Sequence, residues 1–234
     1  MDAEERAHLA ALAGLDHMTT PRLKELLSGR SPSEAFAMAS GEVAPSVPIA
    51  AAFRRSSDLR GRWVASARTI DPSAVAARCA ELGVRILTEA DSEWPAQLRD
   101  DPRRPAVLFA QGDMAALESR RIGIVGTRNP TQRGAQTAAR FGRELASADV
   151  CVVSGLALGI DGAAHRGALD AAAAAPVAVV ANGHGDPYPR RHRPLWDAVA
   201  EAGLVLSEWP PGTAPEPFRF PQRNRILAAL SEIV

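Results

Sequence analysis

Short apolar stretches alternate with helical stretches in the second half of the chain, and this alternation constrains the fold more than any other feature. The apolar stretches read RIGIVG, DVCVVSG, PVAVVANG and LVLSE. Helical patterns cover residues 130–147, about 160–174, the segment HRPLWDAVAEAG and about 222–230. Strands that are apolar on both faces and alternate with helices are typical of a parallel sheet covered on both sides. The sequence therefore predicts an α/β, Rossmann-like fold with a mostly parallel sheet and helices on both faces.

The first part of the chain has a different pattern, because residues 4–58 are helical throughout. We expect a small all-helical domain over residues 1–60 and an extended Rossmann-like domain over residues 61–234. The final letters, SEIV, are typical of the opening of one more strand. We therefore expect a sheet that is incomplete at its C-terminal end, with its last strands truncated.

Three of the predicted strands are followed by loops that carry glycine and polar residues. These loops read GTRNPT, SGLALGIDGAAH and NGHGDPYP. In an open parallel sheet, ligands bind at the carboxyl ends of the strands, where helix N-termini present free backbone N–H groups. We expect the three loops to meet at one crevice.

The glycine spacing indicates which ligands the first loop could hold. Gly123 and Gly126 form a G-x-x-G pattern, whereas a dinucleotide site needs G-x-G-x-x-G and an acidic residue after the second strand. The Walker motif with its lysine does not occur either. A glycine-lined anion site remains, in which Arg128 supplies the charge, Thr127 a hydroxyl and Pro130 the start of the next helix. An ordinary surface arginine on a strand-to-helix turn is the alternative.

Three further sets of side chains are candidates for a site. Asp161 and His165 lie four residues apart on a predicted helix and face the same way, so a local pair or a cap is expected. Arg223 and Arg225 point about 200° apart if both are helical, and only one of them can face the crevice. Tyr188, in the segment YPRRH, could stack on a nucleic-acid base, or the segment could be a turn.

Composition limits the partners and the location. The formal net charge is zero, from 27 basic and 27 acidic residues, so a site for a polyanion must be local. Cys79 and Cys151 lie in apolar contexts that predict buried thiols. No apolar run reaches the roughly 18–20 residues of a membrane span, and the N-terminus lacks the pattern of a secretory signal. We expect a cytoplasmic protein without a membrane, metal or cofactor requirement.

Several stretches together resemble the DprA/Smf family of DNA-processing proteins. The matching stretches are EADSEWPAQLRDDPRRPAVLFAQGD, IGIVGTRNPTQRG, VVSGLALGIDGAAHRGAL, YP and LVLSEWPPGTAPEPFRFPQRNRILAALS, in this order over residues 88–231. The helical N-terminal part is similar to the SAM-like or helix-hairpin-helix-like domain that precedes the core in many members. The resemblance implies a protein that binds single-stranded DNA and delivers it to the recombinase RecA in natural transformation and recombination. It also implies a binding protein rather than an enzyme, and a homodimer for full-length members.

The resemblance assigns DNA contact to residues in three segments. They are Gly126, Thr127 and Arg128; Ser154, Gly155, Gly159, Asp161 and His165; and Arg223, Asn224 and Arg225 in the FP-x-RNR segment that begins at Phe220. The chain departs from the family pattern at Leu158, where many members carry Lys or Arg, and at His192, where an asparagine is common. The first departure removes one partner for a phosphate.

Two other functions remain open from the sequence. One is a nucleotide-processing enzyme related to the lysine-decarboxylase-like phosphoribohydrolases, although their PGG-x-GT-x-x-E signature has no match in this chain. The other is a truncated remnant without function, which would bind DNA weakly or fail to dimerise.

Overall fold

The structure is a computed structural model that describes residues 1–55, 58–171 and 173–234. Its first part is helical, as the sequence predicts. The helices are α1 (Ala3–Ala13), α2 (Thr20–Leu27), α3 (Pro32–Ser40), α4 (Val47–Arg55), α5 (Leu59–Ala67) and α6 (Pro72–Glu81). The start of α3 shows why the chain folds this way locally, since Ser31 and Glu34 form a reciprocal capping box. Gly41 then ends α3 with a φ of 87°.

The helices of the first part share one hydrophobic core. Leu12 of α1, Leu26 of α2 and Trp63 of α5 are fully buried in this core. Cys79 of α6 and Phe109, which lies in the second strand of the sheet, belong to the same core. Apolar packing is thus continuous across residue 60, and the division of the chain into domains 1–60 and 61–234 stays a prediction.

The sheet has six strands and is mixed. The strands are β1 (Val84–Leu87), β2 (Leu108–Gly112), β3 (Arg120–Gly123), β4 (Val150–Ser154), β5 (Val177–Val179) and β6 (Leu204–Ser207), in the spatial order β1-β2-β6-β5-β4-β3. The pairs β3–β4, β4–β5 and β5–β6 are parallel, whereas β2 runs antiparallel to both β1 and β6. The predicted Rossmann-like fold with its parallel sheet is confirmed, and the two antiparallel strands extend it at one side.

The remaining helices cover both faces of the sheet. They are α7 (Gln132–Ser147), α8 (Ile160–Ala171), α9 (Arg193–Ala202) and α10 (Arg219–Leu230). Alternate residues of each strand face opposite layers: Val152 packs with α7 and α8, whereas Val153 packs with α10. Likewise Ala178 packs with α9, and Val179 packs with α10. The sheet is buried on both faces, as the continuous apolar strands predict.

Two helices begin at positions that differ slightly from the sequence expectation. α7 begins after Thr131, whose hydroxyl accepts the N–H of Gly134, so Pro130 lies outside the helix. α10 begins at Arg219 rather than near residue 222. Pro221 therefore lies in the first turn of α10, where a missing N–H leaves no helical hydrogen bond unmade.

The last residues extend the sheet beside β3. Ile233 forms a parallel bridge with Ile122, and the N–H of Gly123 donates to the Ile233 carbonyl at 2.7 Å. The segment SEIV, predicted to open another strand, forms a single isolated bridge to β3. Within the residues described, none of the helices combines the length and the apolar character that crossing a bilayer requires.

Candidate nucleic-acid interface

The loops after β3, β4 and β5 meet at one small crevice, as the sequence predicts. The start of α10 closes its fourth side. The lining consists of Arg128, Gly155, Ala157, Leu158, Ala181, Asn182, Tyr188, Pro189 and Phe220. The enclosed volume is about 20 Å³, which is room for about one water molecule. A ligand larger than an ion must therefore lie across the mouth of the crevice.

Asp161 is the centre of the loop packing behind this crevice. Its carboxylate accepts the N–H of Gly126 at 3.3 Å and the N–H of Gly155 at 3.2 Å. Burial raises the pKa of Asp161, while the nearby Arg223 guanidinium and the hydrogen bonds from backbone N–H groups lower it. These two glycine amides are thus occupied by a carboxylate of the protein itself.

Close contact between two loops explains the glycine at position 159. Gly159 has a φ of 80°, in the left-handed region that favours glycine. A Cβ at this position would collide with the carbonyl oxygen of Thr127. The N–H of Ile160 donates to the same oxygen at 3.2 Å. Gly159 therefore allows the loops after β3 and β4 to pack closely, and it contributes no side chain to the crevice.

Arg223 lies behind the crevice and not at its mouth. Its Nη1 donates to the carbonyl of Gly155 at 2.8 Å and also to the carbonyl of Val179. Burial lowers the pKa of Arg223 to about 10, although Asp161 opposes this shift. Its Nε donates to the Oδ1 of Asn224 at 3.1 Å. The guanidinium therefore fastens α10 to the loops after β4 and β5, while Asn224 remains exposed.

Arg225 points away from Arg223, as the helical geometry predicts. Its guanidinium donates to Glu208, at the end of β6, and to the hydroxyl of Thr20 in α2. It therefore lies outside the crevice and binds the helical part of the chain to α10. A contact between Arg225 and a strand in the crevice would require this buried pair to open.

Two more of the predicted site residues are buried. The hydroxyl of Ser154 donates to the carbonyl of Ile124 at 2.6 Å. His165 is fully buried, and its Nε2 bonds to the Val177 carbonyl at 3.2 Å. Burial lowers the pKa of His165 to about 4, so the ring is neutral and Nε2 is the donor. Of the expected local pair or cap, the pair does not form: Asp161 accepts amides of the loops after β3 and β4, whereas His165 bonds to a carbonyl of β5.

Among the residues that line the crevice, Arg128 and Tyr188 are exposed and Phe220 is half-buried. Thr127 and Asn224, their neighbours in sequence, are exposed as well. The Arg128 guanidinium lies 4.6 Å from the centroid of the Phe220 ring. The Phe220 and Tyr188 rings are tilted at 59° with centroids 5.9 Å apart. This cation and these ring faces form a surface suited to an anionic, partly aromatic ligand. Sequence reasoning placed Phe220 only in a segment that matches the family and did not assign it to the site.

The two departures from the family pattern both lie at this site. Leu158 lines the crevice and brings no charge to it. His192 is half-buried, and its Nδ1 bonds to the carbonyl of Leu156 at 3.0 Å. Position 192 thus forms a hydrogen bond to the loop after β4. The structure shows no set of three or more His, Cys, Asp or Glu side chains arranged for a metal ion within its described ranges.

Comparison with known proteins decides the family. The sequence profile of DNA recombination-mediator protein A matches residues 85–234. The chain belongs to this family. The DNA processing protein DprA of Bacillus subtilis is 42% identical over 153 residues, which cover 65% of this chain and 51% of the relative. Protein Smf of Escherichia coli is 39% identical over 148 residues, covering 62% of this chain and 39% of that protein. The chain thus spans about half the length, or less, of these curated members.

Two solved structures of the family are similar to the chain. The X-ray structure of DprA from Streptococcus pneumoniae has a TM-score of 0.71 at 25% identity and covers 98% of this chain and 76% of that one. DNA processing protein A from Helicobacter pylori has a TM-score of 0.56 at 29% identity, with coverages of 66% and 69%. The study of the latter protein concerns its single-stranded DNA binding mode. The first match extends over the helical part as well as the sheet.

Proposed function

We propose that this member of the DNA recombination-mediator family binds single-stranded DNA across the mouth of the crevice, through the DNA backbone and without base specificity. One observation carries the proposal: an exposed Arg128 stacks on Phe220 where the loops of three parallel strands meet. A structural relative is described by its single-stranded DNA binding mode, which supports the same ligand class.

The geometry favours an unpaired strand over a duplex. The exposed ring of Tyr188 and the half-buried ring of Phe220 offer faces on which unstacked bases could rest, and a base inside a duplex presents no free face. Every base has such a face, so stacking tolerates any sequence. The Arg128 guanidinium, aligned with the Phe220 ring, offers its N–H groups to a phosphate beside the base.

We further propose that the chain acts in the cytoplasm as a binding protein rather than an enzyme, and that it hands the bound strand to RecA during natural transformation or recombination. The membership in the family supports this role. We also propose that the full-length protein is a homodimer. Formation of RecA filaments on single strands, with and without this chain, is the measurement that checks the transfer step.

A titration of short single strands and matched duplexes across a salt series tests the binding proposal. We expect single strands to bind more tightly, with an affinity that falls steeply as salt rises, because each neutralised phosphate releases counterions. The variant Arg128→Ala should weaken binding at low salt. Arg120 begins β3 at the opposite end of that strand from Arg128 and is exposed, so Arg120→Ala is the matched control. Equal affinity of Arg128→Ala and the unsubstituted chain for single strands would contradict the site.

A further inference from the structure

The cations that the sequence places near the crevice are mostly engaged within the protein. Arg223 donates to two carbonyl groups behind the crevice, and Arg225 is paired with Glu208. The amides of Gly126 and Gly155 donate to Asp161. A strand that binds across the mouth must therefore find its phosphate partners among other, exposed groups.

Arg128 supplies only one positive charge for binding a polyanion, and Leu158 supplies no charge. Leu158 lines the crevice between the loops after β3 and β5 with an aliphatic side chain. A single guanidinium neutralises one phosphate, and the salt dependence of such binding would be shallow, with a slope of about 0.7 for single strands. The mouth of the crevice needs a second cationic group if it is to follow a strand.

The loop after β5 supplies two such groups. Tyr188 and Pro189 line the crevice, and Arg190 and Arg191 follow them directly in a short 3₁₀ turn. Both arginines are exposed, and neither side chain has an ion pair or a hydrogen bond to any residue that the structure describes. Because these two neighbouring guanidinium groups have no carboxylate partner among the described residues, their charge is free for a ligand.

We propose that Arg190 and Arg191 form the second phosphate-binding group of the site, on the side of the crevice opposite Arg128. The bound strand then runs from Arg128, over the Phe220 and Tyr188 rings, to the Arg190–Arg191 turn. This assignment rests on the proposed function. The two arginines supply the positive charge that Leu158 does not provide. The assignment also gives the strand a direction across the crevice, from the loop after β3 to the loop after β5.

The double variant Arg190→Ala/Arg191→Ala tests this assignment against oligothymidylates of about 4 to 16 nucleotides. We expect affinity at low salt to fall about tenfold, because charged hydrogen bonds to phosphate are lost. The slope of log affinity against log salt should become shallower by about 0.7 for each phosphate contact removed. Both side chains are exposed, so the thermal unfolding midpoint should not change. Arg120→Ala removes one exposed charge, which is paired with Glu232 away from the crevice, and should leave affinity and slope unchanged.

Separate results overturn this inference and the proposed function. If Arg128→Ala weakens binding while the double variant keeps the affinity and salt slope of the unsubstituted chain, the second phosphate group is not at Arg190 and Arg191. If the unsubstituted chain does not bind oligothymidylate at all, the proposed function fails, and this inference fails with it. A fall in affinity of the same size for Arg120→Ala would show only a general charge effect and would also overturn the assignment.

Discussion

Arg225 of α10 and Glu208 at the end of β6 form a buried ion pair, and Thr20 of α2 hydrogen-bonds to both residues. The hydroxyl of Thr20 donates to the same Glu208 oxygen at 2.7 Å and accepts from Arg225 at 2.8 Å. Burial raises the pKa of Glu208, and Arg225 is the strongest group acting in the opposite direction. The three side chains thus connect the helical part of the chain to the helix whose first turn borders the crevice.

We predict that Arg225→Met destabilises the protein by about 3 kcal/mol or more at neutral pH, because it leaves an uncompensated carboxylate in a buried position. Without Arg225 the pKa of Glu208 rises further, and the carboxyl group takes up a proton in the folded state. The destabilisation should therefore shrink as the pH falls toward the ordinary range of a carboxyl group. Urea unfolding of this variant at pH 7 and pH 5 measures both effects.

The double variant Glu208→Leu/Arg225→Met is the control for this pair. Replacement of both charges by apolar groups removes the unpaired carboxylate, so the double variant should be more stable than Arg225→Met alone. If the double variant is the less stable of the two, Glu208 contributes to stability through contacts other than Arg225.

A second prediction concerns the carboxylate of Asp161. In Asp161→Asn one of the two oxygen acceptors becomes a donor, so the N–H of either Gly126 or Gly155 loses its partner. We expect a cost of about 1–3 kcal/mol in the free energy of unfolding. Single-strand affinity should fall less than in Arg128→Ala, because Asp161 positions the loops and does not contact the strand. A larger loss of affinity than in Arg128→Ala, with stability unchanged, would place Asp161 in direct contact with the ligand.

The pH dependence of Asp161→Asn has a definite sign. Burial raises the pKa of Asp161, so the folded chain holds this proton more strongly than the unfolded chain does. The resulting contribution to stability is present below the ordinary carboxyl pKa and disappears as the pH rises through the folded value. The stability deficit of the asparagine variant should therefore become smaller as the pH rises through this window, as unfolding curves at several pH values would show.

Much of this architecture follows from the sequence, because it depends on local patterns. Continuous apolar strands predicted the parallel sheet, and strand-end glycines predicted where the loops meet. The partners of the charged side chains depend on tertiary contacts and could not be predicted. Arg225 meets Thr20, which is 205 positions away in sequence, and the carboxylate of Asp161 occupies amides that a motif assigns to a ligand. The sequence pattern located the crevice but could not distinguish exposed residues such as Arg128 from buried residues such as Arg223 that hold the loops in place.

A third prediction uses the buried imidazole of His165. Its pKa falls from 6.5 to about 4 on folding because of burial. As the pH drops from 6.5 toward 4, the imidazole binds a proton in the unfolded chain but not in the folded chain. The free energy of unfolding therefore falls by up to about 1.4 kcal/mol per pH unit. His184 has the same shift to about 4. The variant His165→Gln should remove one of these two contributions, which denaturant unfolding between pH 7 and pH 4 would measure. An unchanged slope in the variant would show that His165 is not neutral and buried in solution.

The last prediction joins Leu158 to the Arg190–Arg191 turn. Leu158 lines the crevice and is only partly buried, so an arginine at this position can extend its guanidinium to the mouth. We expect Leu158→Arg to tighten the binding of oligothymidylate at low salt and to steepen the salt slope by about 0.7. In the Arg190→Ala/Arg191→Ala background, the same substitution should restore part of the lost affinity, because one added charge replaces one of two that were removed. Leu158→Gln, which adds a long polar side chain without charge, should restore none of it. If Leu158→Gln restores as much affinity as Leu158→Arg, hydrogen bonding rather than charge compensates at this position, and the electrostatic account of the crevice is wrong.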